Sequence, residues 1–250
     1  MNQAGKPQPT IAEIERWSAI RHDRAIEGLS SLAGGFWSSA YVYRVSGVEF
    51  VLRISDMHEG FTIDAAAMRF AGPGLPVPVV VETGSGLGGY YAISRRHRGR
   101  FIEDSPAHEA QAVGTALASL LAAMRSVPAR PADPVLWYDA DASAGLTWRA
   151  WLLSGLVDDA KARVSGWRAK LASVPRLDGL FKNCESRIES LLSACPERRD
   201  LVHGDLLHQN VLVAEDDAAR VTAVFSWKCS VRGDFLFDVA WCTFLSLIHI

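Results

Sequence analysis

Apolar residues first recur at helical spacing over residues 11–28, at Ile11, Ile14, Trp17, Ile20 and Ile26, which predicts a surface helix with one buried stripe. Thr10 followed by Glu13 forms a capping box that would start it. After Gly28 the pattern changes to β-prone runs. Ser38–Ser46 and Glu49–Ile54 flank Gly47 and read as an antiparallel hairpin. Residues 60–71 return to helical spacing and stop at Gly72-Pro73-Gly74. Val77–Glu82 and Tyr90–Arg95 read as two more strands around a glycine-rich turn over Gly84–Gly89.

The remaining pattern differs. Leu117, Leu120, Leu121 and Met124 place a helix over 106–126, a loop with Pro128, Pro131 and Pro134 follows, and residues 147–194 are mostly helical. β-prone stretches return at Asp200–Val213 and Arg220–Trp227. The fold class read from this order is α+β. A small antiparallel-sheet lobe over 1–95 precedes a larger helical lobe over 96–250 that contains a short hairpin, with the border near Ser94–Gly99.

Composition narrows the function. The chain of 250 residues has a net charge of −2 and 22% charged residues, without the clustered basic balance of a nucleic-acid or membrane-surface binder. A cationic substrate stays open, because pocket charge is local. The four cysteines, Cys184, Cys195, Cys229 and Cys242, form no Cys-x-x-Cys pair and read as reduced thiols of a cytoplasmic protein. The opening MNQAGKPQPT has no apolar signal-peptide core. No apolar run reaches the ~18 residues of a membrane helix. A soluble, intracellular monomer is expected.

The chemistry concentrates in LVHGDLLHQNVLV, residues 201–213. Asp205 and Asn210 sit on a loop between two apolar runs. Phosphoryl transfer needs a carboxylate that takes the proton of an acceptor hydroxyl, and an Asn side chain supplies an oxygen to Mg²⁺. An isolated Asp-x4-Asn is common. The frame of His203-Gly204 before it and Val211-Leu212-Val213 after it is far more restrictive. His203 reads as a residue that holds the loop by hydrogen bonds.

His203-Gly204-Asp205-x4-Asn210 resembles the catalytic loop of the aminoglycoside phosphotransferase family, which is kinase-like. The resemblance implies a two-lobed protein-kinase-like fold, Asp205 as catalytic base and Asn210 as a Mg²⁺ ligand. It also places the nucleotide-phosphate loop at Gly34-Gly35-Phe36-Trp37-Ser38-Ser39, where Gly35, Ser38 and Ser39 would meet phosphates. Val51-Leu52-Arg53-Ile54 is similar to the third strand, with Arg53 as the basic residue that reaches the phosphates and Asp64 as its acidic partner. Leu75-Pro76-Val77-Pro78 resembles the entry to the fourth strand. Tyr91–Arg95 would be the hinge, with Ile93 and Ser94 meeting the adenine edge. Thr147-Trp148-Arg149 and Gly233-Asp234-x3-Asp238 complete the match, which covers roughly 30–244 and is nearest the family's hygromycin B branch. It implies transfer of the γ-phosphate of ATP or GTP to a hydroxyl of a polycationic antibiotic, and hence resistance. Asp139 and Asp141 are candidates for the acidic acceptor pocket, or else part of a solvated loop.

Two features depart from that pattern. Ser226, in Val224-Phe225-Ser226-Trp227, stands where the family carries its principal Mg²⁺-binding Asp. A hydroxyl brings no charge to a hard cation, so a loss on the order of 10³-fold in rate is expected. The closing LSLIHI, residues 245–250, reads as non-native sequence, so a C-terminally truncated helical lobe is expected. Two other readings therefore stay open: a kinase of another small alcohol, choline- or homoserine-like, and an inactive pseudokinase or fragment.

Overall fold

The computed structural model describes residues 6–248 apart from 33, 34, 36, 138, 139, 142 and 163, with 245–248 described as backbone. The first helix, α1 (Ile11–His22), begins at the expected box. Thr10 N donates to Glu13 Oε2 at 2.7 Å and Glu13 N to Thr10 Oγ1 at 3.2 Å. It ends at His22, six residues before Gly28, with Asp23 as its cap at φ 49°. Ile26 is not on its stripe. It lies buried under the sheet, and the next residues form an unforeseen strand, β1 (Glu27–Leu32). That strand escapes a periodicity reading because a register shift between Glu27 and Ser30 breaks its alternation.

β2 (Ser39–Val45) and β3 (Val48–Ser55) form the hairpin around Gly47. Then come α2 (Glu59–Ala67), a 3₁₀ turn over Met68–Phe70, β4 (Val80–Gly86) and β5 (Gly89–Arg95). The antiparallel sheet runs β1-β2-β3-β5-β4. Its α1 face buries Ile14, Tyr43, Phe50, Leu52, Ile54 and Ile93.

The following elements are β6 (Arg100–Phe101), α3 (Ala110–Arg125), α4 (Trp148–Ser154), α5 (Trp167–Ala172) and α6 (Pro175–Leu192). After them come β7 (Asp200–Val202), β8 (Val211–Ala214), β9 (Asp217–Val224), β10 (Val231–Gly233) and α7 (Leu236–Ile248). β8 and β9 make the short hairpin, with β6 on its edge, and β10 pairs with β7. Among the described residues no helix is long and apolar enough to cross a membrane.

One apolar cluster joins Phe70, Leu75 and Val77 to Leu120 and Met124 of α3 and to Leu201, Val211 and Trp227. The core therefore runs across residue 95, and the end of α2 with residues 68–77 packs on the helical side.

Arg232 of β10, 1% exposed, fastens the proline-rich loop from within. It donates to Asp133 Oδ2 through Nη2 at 2.9 Å and Nε at 3.1 Å, and to the carbonyls of Val127 and Pro128 at 3.2 and 3.0 Å. Removing the carboxylate leaves a buried guanidinium unpaired. Asp133→Ala is expected to lower stability by about 3–5 kcal/mol, read from urea denaturation midpoints; a loss under about 1 kcal/mol, the scale of an exposed pair, would contradict this assignment.

Candidate active site

The loop between β7 and β8 is held from below by one carboxylate. Asp238, in the first turn of α7 and fully buried, accepts from the backbone N–H of His203 at 2.7 Å and of Gly204 at 2.8 Å. Gly204 has φ 80°, and a Cβ there would run into the Cys229 carbonyl, so this position requires glycine. His203 is buried as well. Its Nδ1 accepts from Asp205 N at 3.2 Å, which leaves Nε2–H to donate to the Phe225 carbonyl at 3.1 Å. Both ring nitrogens are thus used by the neutral tautomer.

Asp205 sits above this base. His208 Nδ1 lies 2.7 Å from its Oδ1, and Asn210 Nδ2 donates to its backbone carbonyl at 2.7 Å and to Oδ2 at 3.2 Å. The turn between them is unusual. His208 and Gln209 adopt φ of 93° and 62°, a region L side chains seldom occupy. Their N–H groups both donate to Glu103 Oε1 at 2.7 Å. Sequence reasoning missed Glu103, since one acid on a loop ~100 positions earlier carries no periodic signal. His208 was visible only as a variable position.

A second chain of contacts joins the loop to the sheet. Phe225 N donates to Asn210 O at 3.1 Å. Two residues on, Trp227 N donates to Asp64 Oδ1 at 2.8 Å, and Asp64 Oδ2 pairs with Arg53 Nη2 at 2.6 Å. Asp64 belongs to α2, and Arg53 belongs to β3. Ser226, between these anchors, has φ 70° and ψ 52°. Ser38, Arg53, Phe61, Asp64, Ser226 and Lys228 line one cavity of about 80 Å³.

The other sequence candidates are placed differently. Gly35 is exposed, with its carbonyl accepting from Lys6 Nζ at 2.5 Å. Ser39 Oγ donates to Pro7 O at 3.5 Å and is not on the cavity wall. Gly34, Phe36 and Asp139 lie outside the described residues, and Asp141 is on an exposed loop. Ile93 and Ser94 are placed in the sheet. They lie within β5, paired to Leu52 and Val51 on one side and to Glu82 and Val80 on the other. An interior strand has no free backbone edge to offer a base. The N–H groups of Arg95 and Arg96 are also taken, by Val79 O and Glu49 O. The linker that could present an edge starts at His97. It is clipped in place by Arg98, whose Nη2 and Nε reach Glu49 at 2.8 and 3.0 Å.

Thr147 caps α4 and Trp148 is buried under β10, so the Thr147-Trp148-Arg149 segment serves packing. Asp234 Oδ1 accepts from Leu236 N at 3.1 Å at the start of α7.

The Mg²⁺ that the resemblance implies is poorly served by these donors. Asn210 has a carbonyl oxygen to give, since its amide nitrogen makes the bonds to Asp205. Asp64 is committed to Arg53 and Trp227, and Ser226 is neutral. Among the described residues no group of three or more His, Cys, Asp or Glu is arranged to hold a metal ion. Mg²⁺ in such sites is usually held by one or two carboxylates together with substrate phosphates, and the carboxylate expected at 226 is absent here.

Loop, cavity and sheet together define a phosphotransferase. The chain matches the phosphotransferase enzyme family over residues 29–248 and belongs to it. It is 31% identical over 247 residues to hygromycin-B 4-O-kinase of Escherichia coli, covering 94% of this chain and 67% of that protein. The crystal structure of aminoglycoside phosphotransferase APH(4)-Ia is similar at a TM-score of 0.78 and 26% identity, with 94% of this chain and 77% of that one covered. A thermostable mutant of that enzyme, in ternary complex with AMP-PNP and hygromycin B, matches at a TM-score of 0.78 and 27% identity, covering 93% of this chain and 76% of that one.

Burial keeps the His203 imidazole below its usual value near 6.5, against the opposing pull of Asp238. The unfolded chain therefore takes up a proton that the folded protein refuses, and stability falls as pH drops below about 6.5. One such proton contributes a slope of at most about 1.4 kcal/mol per pH unit. His203→Asn is expected to flatten the dependence of unfolding free energy on pH between 5 and 7 relative to the parent. Identical slopes for the two proteins would remove His203 as the source.

Proposed function

We propose that the chain is an aminoglycoside O-phosphotransferase of the hygromycin type, moving the γ-phosphate of ATP to an antibiotic hydroxyl and so conferring resistance. The observation that supports it best is the joint anchoring of Asp205 and Asn210 on one loop, coupled through Phe225 to the segment that Asp64 ties to Arg53. Family membership and the similarity to an enzyme crystallised with AMP-PNP and hygromycin B favour an adenine nucleotide and this acceptor.

In this reading residues 1–95 hold the nucleotide and 96–250 supply the base and the acceptor pocket. Asp205, steadied by His208 and Asn210, accepts the proton of the acceptor hydroxyl. The hydroxyl oxygen bonds to the γ-phosphorus as the bond from that phosphorus to the β,γ-bridging oxygen breaks, and ADP leaves. Arg53 and Ser38 meet the phosphates, and the linker from His97 meets the base. Asn210 supplies an oxygen to any cation that enters with the nucleotide. The four cysteines are free, in keeping with a reducing cytoplasm, and the enzyme acts as a monomer.

Ser226 favours one second reading, a nucleotide-binding protein without turnover, because the charge that would hold a metal against the γ-phosphate is missing.

Hygromycin B-dependent release of ADP from ATP is the direct test. Asp205→Asn should cut kcat by about 10²–10⁴-fold, the contribution of a positioned base. Ser226→Asp should raise magnesium-dependent turnover by about tenfold or more by restoring a carboxylate ligand. A chain that binds ATP but turns over neither as given nor as S226D would support the second reading.

A further inference from the structure

The cavity beside Ser226 has the charge of an anion site. Two cationic side chains, Arg53 and Lys228, line it together with the hydroxyls of Ser38 and Ser226. One carboxylate is among its lining residues, Asp64, and both of its oxygens are engaged, by Arg53 at 2.6 Å and by Trp227 N at 2.8 Å. Among the lining residues two cations stand against one carboxylate. A carboxylate at 226 and an uncharged residue at 228 would reverse these numbers, and would suit a divalent cation. This chain has no anionic side chain at 226 and carries a cation two residues away.

Lys228 is well placed for phosphate. It is carried on the 3₁₀ turn Trp227–Cys229, whose first N–H is fixed to Asp64. Its stem passes over Gly60 at the start of α2, with Cδ 3.8 Å from where a Gly60 Cβ would stand. Nζ lies 3.9 Å from the Met57 sulfur, a weak acceptor. The ammonium is a compact charge with three rotatable donors, able to follow phosphate oxygens without a fixed geometry.

We propose that Lys228 is a phosphate-binding residue of the nucleotide site, and that ATP binds there without requiring a divalent cation. The inference rests on the cavity being the nucleotide site of the proposed phosphotransferase. Arg53 and Lys228 neutralise the triphosphate from two sides, β3 and the turn after β9, doing for binding what a metal held at 226 would do.

Calorimetric titration of ATP and, separately, of adenosine into the whole chain tests this, each in excess EDTA and in excess Mg²⁺. The Kd for ATP in EDTA should lie within about threefold of its value in Mg²⁺, a difference under about 1 kcal/mol. Lys228→Met, which keeps the stem, should weaken ATP in EDTA by about tenfold or more while leaving adenosine unchanged, and Lys228→Arg should retain most of the affinity. Ser226→Asp should make ATP binding strongly Mg²⁺-dependent. Unchanged adenosine binding also reports that Lys228→Met is folded. Adenosine binding together with a tenfold or greater loss of ATP affinity in EDTA for the parent, or an unaltered Kd in Lys228→Met, would overturn the inference and leave the nucleotide site standing. Failure of both ligands in both buffers would overturn the nucleotide-site reading and the inference with it.

Discussion

The Asp64 carboxylate holds the two halves of the site together. One oxygen takes the Arg53 guanidinium from the sheet, and the other takes the Trp227 N–H from the chain after β9. At 5% exposure it is a buried charge that tolerates its position because both oxygens are satisfied, one by an opposite charge. From this contact the rest follows in order. Trp227 is fixed against Phe70 and His203. Ser226 is held in its left-handed conformation between two anchored neighbours. Phe225 meets Asn210, and Asn210 meets Asp205. A contact between α2 and a 3₁₀ turn thus sets the distance between the residue that reaches phosphate and the residue that takes a proton.

The carboxylate at 238 plays the matching part on the other side of the loop. Burial pushes its pKa up, and the N–H groups of His203 and Gly204 oppose that shift. The two buried acids differ in their partners: Asp64 is met by a cation and one N–H, Asp238 by two N–H groups. Each binds a segment distant in sequence from its own.

Much of this was legible in the chain. The capping box at Thr10, the β2–β3 hairpin and the helix of α3 follow from local rules, because the residues that decide them are neighbours. The pairing of Arg53 with Asp64 came through resemblance, and the two are in fact in contact. What could not be read depends on contacts across many residues. β1 is an edge strand with a broken register, so its periodicity is lost. That Ile93 and Ser94 sit on an interior strand depends on the order β3-β5-β4, a tertiary fact. Glu103 and Lys228 are ordinary charges until the fold brings them to the loop and the cavity. The core that crosses residue 95 is hidden for the same reason, since the change from sheet to helix at that point marks a change of local structure and not a gap in packing.

The bond from Asp238 to the loop also bears on how the protein is made. The carboxylate lies 35 residues after the N–H of His203 that it receives. A ribosome adds residues at about 5–20 per second, so the loop is synthesised a few seconds before its partner. Until then the amides of His203 and Gly204 lack the carboxylate that receives them in the folded protein. The sheet, by contrast, has every strand in hand by residue 95. The nascent chain therefore acquires its nucleotide-facing half early and its chemical centre last, so a ribosome stalled before α7 would carry a folded sheet beside an unordered loop.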